Sequence, residues 1–320
     1  LELDAAQEIE RLCDGIRRTI HHESRRRGAV VGVSGGVDSA VVLALCARAM
    51  KPERTLALIL PERESSSDSE RLAKAWASEL GVAWVKEDLT GALEGLGAYR
   101  RRDEAIRRIF PDYGEGWKSK ITLPGSLLED DTLNVFKLTV VDPEGQESSS
   151  RMLSNDFFQI MAATDMKQRT RMSMLYYHAE KCHYAVVGTG NKNEHDLGFF
   201  VKYGDGGSDL APIMHLFKSQ VYQLADHLNV LPEIVERVPT SDTYSAGSSQ
   251  EEFFFRLPFK TLDLIWACWE QGVDLADIGS EVDLETEQVK RVVEDIKHKQ
   301  QTTHYLRREV VTFEPGGAKE

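Results

Sequence analysis

Cysteine is scarce and scattered in this chain of 320 residues. Cys13, Cys46, Cys182 and Cys268 stand far apart and no two form a CxxC pair, which argues against a disulfide framework or a structural zinc site. Positive charge is also in short supply. Against 52 Asp and Glu there are 39 Lys and Arg, a net charge of −13. That balance speaks against a general nucleic-acid or anionic-membrane surface, so neither is expected as a partner. No apolar run approaches membrane-spanning length. The opening residues LELDAAQEIE are acidic and amphipathic, unlike a secretory signal, and a cytoplasmic location is the expectation. Internal repeats and low-complexity tracts are missing too. What remains is an ordinary globular composition, 41% hydrophobic and 28% charged, with enough chain to bury a sizeable core.

The most informative stretch is VVGVSGGVDS, Val30 to Ser39. Ala29 to Val33 is a short β-branched run of the kind that forms a buried parallel strand. Ser34-Gly35-Gly36 breaks it, and Asp38 to Met50 reads as a largely buried helix. Strand, glycine turn and helix N-terminus together hold phosphate: glycines let backbone N–H groups approach the oxygens, hydroxyls add donors, and the helix dipole favours negative charge. The loop contains no lysine and lacks Walker spacing. Asp38 among phosphate ligands is sensible only with a bridging cation, since a bare carboxylate would repel the anion.

Taken in order, the chain alternates. An amphipathic helix over residues 4 to 23 precedes the first strand; Thr55–Leu60 is a second buried strand, Val82–Val85 a third and Tyr184–Val187 a fourth, with helices between them. This pattern predicts an α/β fold, a doubly wound parallel sheet flanked by helices, with ligands at the carboxyl ends of the strands. Residues 1–320 are read as one domain, with a β-containing insertion at about 100–154 and a disordered tail at 313–320. Within the insertion, FKLTVVDPEGQESSSRML reads as a hairpin around Asp142 to Gly145, and the arginines from Arg100 to Arg108 read as a solvated helix face. A second block, GTGNKNEHDLGFFVKYGDGGSDLAPIMHLFK from Gly188 to Lys218, is too rich in Gly, Asp and Lys to be core. Its Glu194 follows the fourth strand closely enough to share a divalent cation with Asp38, water filling the remaining positions.

Together the two blocks resemble the NAD synthetases, members of the N-type ATP pyrophosphatases. SGGVDS, Lys167-Gln168-Arg169-Thr170-Arg171-Met172, the segment from Thr189 to Glu194, GFFxKYGDGGxD, Lys218 and Pro239-Thr240-Ser241-Asp242 stand in family order and spacing. The resemblance implies ATP- and Mg²⁺-dependent amidation of deamido-NAD with ammonia through an adenylated carboxylate, by a homodimer. It implies that Gly32, Val33, Ser34, Gly35, Gly36, Val37, Asp38 and Ser39 bind ATP together with Thr189, Lys218 and Thr240. It assigns the metal to Asp38 and Glu194, and the dinucleotide to Arg169, Lys202 and Asp209. Asp38 and Lys218 are the catalytic candidates; apart from the resemblance, the chemistry of ammonium calls for a base, for which Asp205 is the candidate. Where the family closes on substrate with a His-Lys pair this chain has His304-Tyr305, so His304 is the corresponding substrate residue. No glutaminase-type domain precedes the synthetase motifs, which by the resemblance makes ammonia the direct nitrogen donor.

Two other readings stay open at this point: a related amide ligase acting on a different carboxylate, and a nucleotide-binding regulatory protein without turnover. The insertion, whose ends both lie on the ligand side of the sheet, is expected to place a small β-containing flap (110–152) over the acceptor side or at a dimer interface.

Overall fold

Short apolar runs build the centre of the molecule. The structure, a computed structural model, describes residues 1–123, 127 and 128, 136–239, 244–246, 249 and 250, and 254–313. Its strands are β1 (Ala29–Gly32), β2 (Thr55–Ile59), β3 (Ala83–Lys86), β4 (Lys118–Thr122), β5 (Lys137–Val141), β6 (Glu147–Arg151) and β7 (Ala185–Val187). Its α-helices are α1 (Ala5–Arg18), α2 (Val37–Met50), α3 (Ser67–Glu79), α4 (Thr90–Gly95), α5 (Ala98–Arg107), α6 (Ser154–Cys182), α7 (Lys192–Leu197), α8 (Lys218–His227), α9 (Pro232–Val235), α10 (Phe259–Glu270), α11 (Leu275–Val282), α12 (Thr286–Thr302) and α13 (His304–Arg307). Among the described residues no helix is long and apolar enough to cross a membrane.

β3, β2, β1 and β7 form a parallel sheet in that order. Side chains alternate across it. Ala29, Val31, Ala57, Ile59, Ala185 and Val187 pack on the face covered by α1, α2, α3 and α8, while Val30, Leu58 and Val186 pack on the face covered by α4, α5 and α6. Around β1, β2 and β7 both faces are dry, which is why these strands read as continuous apolar runs rather than alternating ones, whereas β3 at the edge is largely exposed. The chain direction reverses its progress across the sheet at β1, between β2 and β7, so the loops after β1 and β7 splay apart there and leave a crevice at their carboxyl ends. α2 is buried nearly all round because it is sandwiched between the sheet and α1 and α8.

The insertion is ordered where described. β4, β5 and β6 make an antiparallel sheet, β4–β5–β6, and the β5–β6 turn is the expected one: Gly145 N donates to Asp142 O at 3.0 Å and Gln146 N to Asp142 Oδ1 at 2.7 Å. Leu138 and Val140 of β5, with Ile121 of β4, pack against Ile106 of α5 and Ile160 of α6. Residues 314–320, most of the expected tail, lie outside the described residues.

The arginine-rich helix differs from expectation. α5 exposes Arg100 and Arg101, but Arg102 is buried and donates to Glu64 Oε2 at 2.6 Å. Glu64 also accepts from Lys167 Nζ at 2.6 Å, and Lys167 reaches Glu62 at 3.1 Å, whose other oxygen accepts from Tyr99 OH at 2.6 Å. Two helices, α5 and α6, thus converge on the segment after β2, and charge rather than apolar surface sets the packing. Burial would push the Glu64 carboxyl up, but Arg102 and Lys167 outweigh it and hold the group down at about 2, from an ordinary 4.5. The unfolded chain therefore takes up this proton first. Stability from the group is complete above about pH 4.5 and is lost as the pH falls toward 2, on the order of 3 kcal/mol in all. We expect Glu64→Gln to be less stable than wild type at neutral pH and to show a flatter decline of urea midpoint through the acid range. Parallel curves for the two proteins would count against this account.

Candidate active site

The crevice at the sheet's carboxyl edge has a volume of about 1150 Å³, beyond the roughly 300–1,000 Å³ usual for a single small ligand. Its floor is the loop joining β1 to α2. Gly35 has φ +78°, and a Cβ there would stand 2.6 Å from Ser69 O, so the turn requires glycine twice over. The loop is braced internally: Ser34 N donates to Ser39 Oγ at 3.3 Å, and Ser39 Oγ to Gly36 O at 2.9 Å. Gly36 caps α2 without a side chain, which leaves the first-turn N–H groups of the helix to a ligand. Gly32, Val33, Ser34, Gly36, Val37, Asp38 and Ser39 all line the crevice.

Facing this loop, α7 and α8 bring in a charged cluster. Asp38 Oδ1 accepts from Asn191 Nδ2 at 3.0 Å, and its Oδ2 forms an ion pair with Lys218 Nζ. Asn191 caps α7: its Oδ1 accepts from Glu194 N at 3.1 Å while Glu194 Oε2 accepts from Asn191 N at 3.3 Å. One asparagine therefore joins the two carboxylates predicted to share a cation. Burial, then the Asp38 charge, pushes the Glu194 carboxyl up. Burial pulls on Lys218 in the opposite direction, yet Asp38 and Glu194 outweigh it and the ammonium is held above its ordinary range. The lysine, 1% exposed, thus stays charged and neutralises part of the carboxylate pair.

A divalent cation suits this donor set. Asp38 and Glu194 offer hard oxygen ligands, and among the described residues no group of three or more His, Cys, Asp or Glu is placed to hold a metal ion. Two protein carboxylates, with phosphate and water completing the shell, match Mg²⁺ better than a metal that demands a full protein cage.

The opposite wall of the crevice is built from α6, the loop after α7 and the insertion. Thr189, Arg169, Lys202 and Asp205 line the crevice. Asp205 Oδ1 accepts from Val201 N at 2.9 Å; the carboxyl is open to the crevice, yet the surrounding walls raise its proton affinity to about 6. Lys202 Nζ donates to the carbonyls of Tyr305 (3.0 Å) and Arg308 (2.8 Å), so it holds the C-terminal segment over the crevice. Arg169 is partly exposed and its Nε donates to Lys202 O at 3.3 Å. Phe136, just before β5, stacks on Phe157 of α6 with centroids 4.8 Å apart, and both line the crevice with Phe158 and Met161. The insertion therefore reaches the crevice through an aromatic wall.

Two sequence candidates are placed differently. Asp209 does not line the crevice; its Oδ2 accepts from Val186 N at 2.8 Å and its Oδ1 from Tyr176 OH at 3.1 Å. It serves the outer edge of β7, where its own N–H donates to Val186 O. His304 faces outward beside Lys297, Gln300 and Gln301, while Tyr305, Leu306 and Arg307 line the crevice. In so short a helix, successive residues point to different sides. Thr240 lies outside the described residues, as does Asp242. Sequence reasoning in turn missed Asn191, although Asn-x-x-Glu is legible as a capping box. It also missed Thr303 and Arg307, which fasten the C-terminal segment to α7 through the carbonyls of Leu197 (3.2 Å) and His195 (3.0 Å).

Comparisons with known proteins agree with this geometry. A family model described as NAD synthase matches residues 8–108 and 133–308; the residues it passes over, 109–132, fall in the insertion. The NH(3)-dependent NAD(+) synthetase of Mesorhizobium japonicum is 47% identical over 306 residues, 96% of each chain. That of Rhizobium meliloti is 45% identical over 96% of this chain and 91% of its own. That of Thermotoga neapolitana is 39% identical over 89% and 91%. Among solved structures, an NMN synthetase from Francisella tularensis superposes with a TM-score of 0.66 at 20% identity, covering 97% of this chain and 99% of its own. An NH3-dependent NAD synthetase from Campylobacter jejuni gives 0.63 at 21%, covering 98% and 100%. These two speak for the fold.

Proposed function

This chain belongs to the NAD synthase family, and from that premise we propose that it amidates deamido-NAD with ammonia at the expense of ATP, releasing NAD, AMP and pyrophosphate. The observation that carries the reading is the uncapped N-terminus of α2 facing a crevice in which Asp38, Glu194 and Lys218 are already assembled.

A carboxylate does not react with ammonia at neutral pH, because oxide would have to leave. Adenylation removes the obstacle: a carboxylate oxygen bonds to the α-phosphorus of ATP as the bond to pyrophosphate breaks. Charge grows on the departing pyrophosphate, where the first-turn N–H groups of α2, the Ser34 hydroxyl and the Lys218 ammonium can meet it. One well-placed donor of this kind is worth about 3 kcal/mol. Asp38 and Glu194 would hold Mg²⁺, which when bound supplies Lewis-acid polarisation and charge neutralisation for the phosphates. Phosphate also competes for Lys218, and its transfer to the anion frees an Asp38 oxygen. Ammonia then attacks the acyl carbon, AMP leaves, and the amide nitrogen sheds its extra proton. Asp205, with its raised proton affinity and its place on the acceptor wall, can take a proton from ammonium. Arg169, Lys202, Thr189 and the Phe136–Phe157 wall are assigned to the substrates. Exposed Leu153, just before α6, and Tyr177 on α6 support a homodimer.

The test is mass spectrometry of products from ATP, Mg²⁺ and deamido-NAD labelled with ¹⁸O in its carboxylate, with ammonium or glutamine as nitrogen source. We expect NAD from ammonium alone, with one label atom in AMP. Label in pyrophosphate, or no label in AMP, overturns the adenylation route. Strong preference for the deamido mononucleotide in a parallel assay overturns the acceptor assignment.

A further inference from the structure

α8 supplies only half a cap of its own, Gln220 Oε1 accepting from Phe217 N at 3.0 Å. Its preceding residue is Phe217, whose side chain has nothing to offer the orphan N–H groups of a helix start. Two remote residues supply the acceptors. Lys218 N donates to Asn193 Oδ1 at 2.9 Å, and Ser219 N donates to Asp263 Oδ2 at 2.8 Å. Asn193 Nδ2 donates to Asp263 Oδ1 at 2.5 Å and closes the chain of bonds. Asn193 and Asp263 are each 0% exposed. Asn193 stands beside Glu194 on α7, Asp263 lies on α10, and Lys218 opens α8.

We propose that Asn193 and Asp263 are positioning residues for the adenylation step, which lock the backbone of Lys218 against α7 and so set the distance of its ammonium from Asp38 and Glu194. The inference rests on the assignment of Lys218 to ATP. It also gives the C-terminal helices a task, since α10 rather than the sheet determines where this lysine stands. The logic is one of donor and acceptor parity. Two backbone N–H groups fixed at the ends need an acceptor at each, and the pair between them must also match. Carboxylate at 263 with amide at 193 satisfies every link. Amide at both positions cannot: whichever way either amide is turned, one donor meets a donor, and buried mismatch of that kind is expensive. Carboxylate at 193 with amide at 263 satisfies every link again.

The experiment is therefore an exchange. Asp263→Asn should lower kcat for ATP-dependent pyrophosphate release roughly tenfold or more, since small displacements of a catalytic group are costly, while KM for deamido-NAD stays within about twofold of wild type. The double variant Asp263→Asn with Asn193→Asp should recover most of that loss. In a Lys218→Ala background, Asp263→Asn should have no further effect on kcat, which a general loss of stability would not imitate. A double exchange as impaired as the single variant, in folding or in kcat, overturns the proposal. So does an undiminished effect of Asp263→Asn when Lys218 is absent. If Lys218→Ala itself leaves pyrophosphate release unchanged, it is the reading of Lys218 that fails.

Discussion

Asp38→Asn and Glu194→Gln are each expected to lower ATP-dependent pyrophosphate release by roughly a hundredfold or more, with melting temperatures shifted by only a few degrees. Each exchange removes one negative charge from the pair that Asn191 ties together, while side-chain volume hardly changes. The loss should be largest at limiting Mg²⁺ and should shrink as the metal is raised, because a weakened site is refilled by mass action. The two positions are not equivalent. Asp38 accepts from both Asn191 and Lys218, so an amide there must turn one N–H toward a donor, whereas Glu194 accepts from Asn191 N and from Gln250 Nε2 at 3.4 Å, and the Gln250 amide can turn over to match an amide at 194. Asp38→Asn should accordingly cost more stability than Glu194→Gln. Near-normal release by both variants at low Mg²⁺ would sink the metal assignment.

Lys218→Met should lose roughly a hundredfold to a thousandfold in kcat, the loss seen when one preorganised donor to a developing charge is removed. Its second consequence can be read without turnover. The lysine is the cation that offsets Asp38 and Glu194 in the ligand-free protein, and removing one partner of a buried ion pair costs about 3–5 kcal/mol where no water can reach the other. Asp38 keeps some exposure, so the cost here is expected at or below the low end. Mg²⁺ alone should then raise the melting temperature of Lys218→Met much more than that of wild type, since it restores positive charge between the carboxylates. Equal responses of the two proteins to Mg²⁺ would mean that lysine and cation do not share this site.

Much of the architecture could be read directly. β1, β2, β3 and β7 fall on the four apolar runs, and the hairpin falls on Asp142 to Gly145, because strands buried on both faces, as β1, β2 and β7 are, and a turn with Pro143 and Gly145 leave local marks in the residues themselves. The arginine-rich α5 shows where such reading stops. Its charges are interleaved as on a solvated face, yet Arg102 is buried, held by its neighbour Asp103 on one side and by Glu64, from 38 positions away, on the other.

The sequence by itself determined the phosphate loop, the placing of Asp38 and Glu194 at the carboxyl edge of the sheet, and the membership of the chain in its family. Each of these depends on interactions within a few residues: the positive φ of a glycine, the dipole of the helix that follows, the alternation of a strand. Tertiary structure alone decided which polar groups remain available to a ligand. It gave the Asp209 carboxylate to Val186 and Tyr176, turned His304 outward and Tyr305 inward, and seated Lys218 between Asn193 and Asp263. Those choices turn on hydrogen-bond partners 23 to 70 positions apart. A buried polar group must find a partner wherever the packing of whole helices happens to bring one, and no local pattern records which it will be.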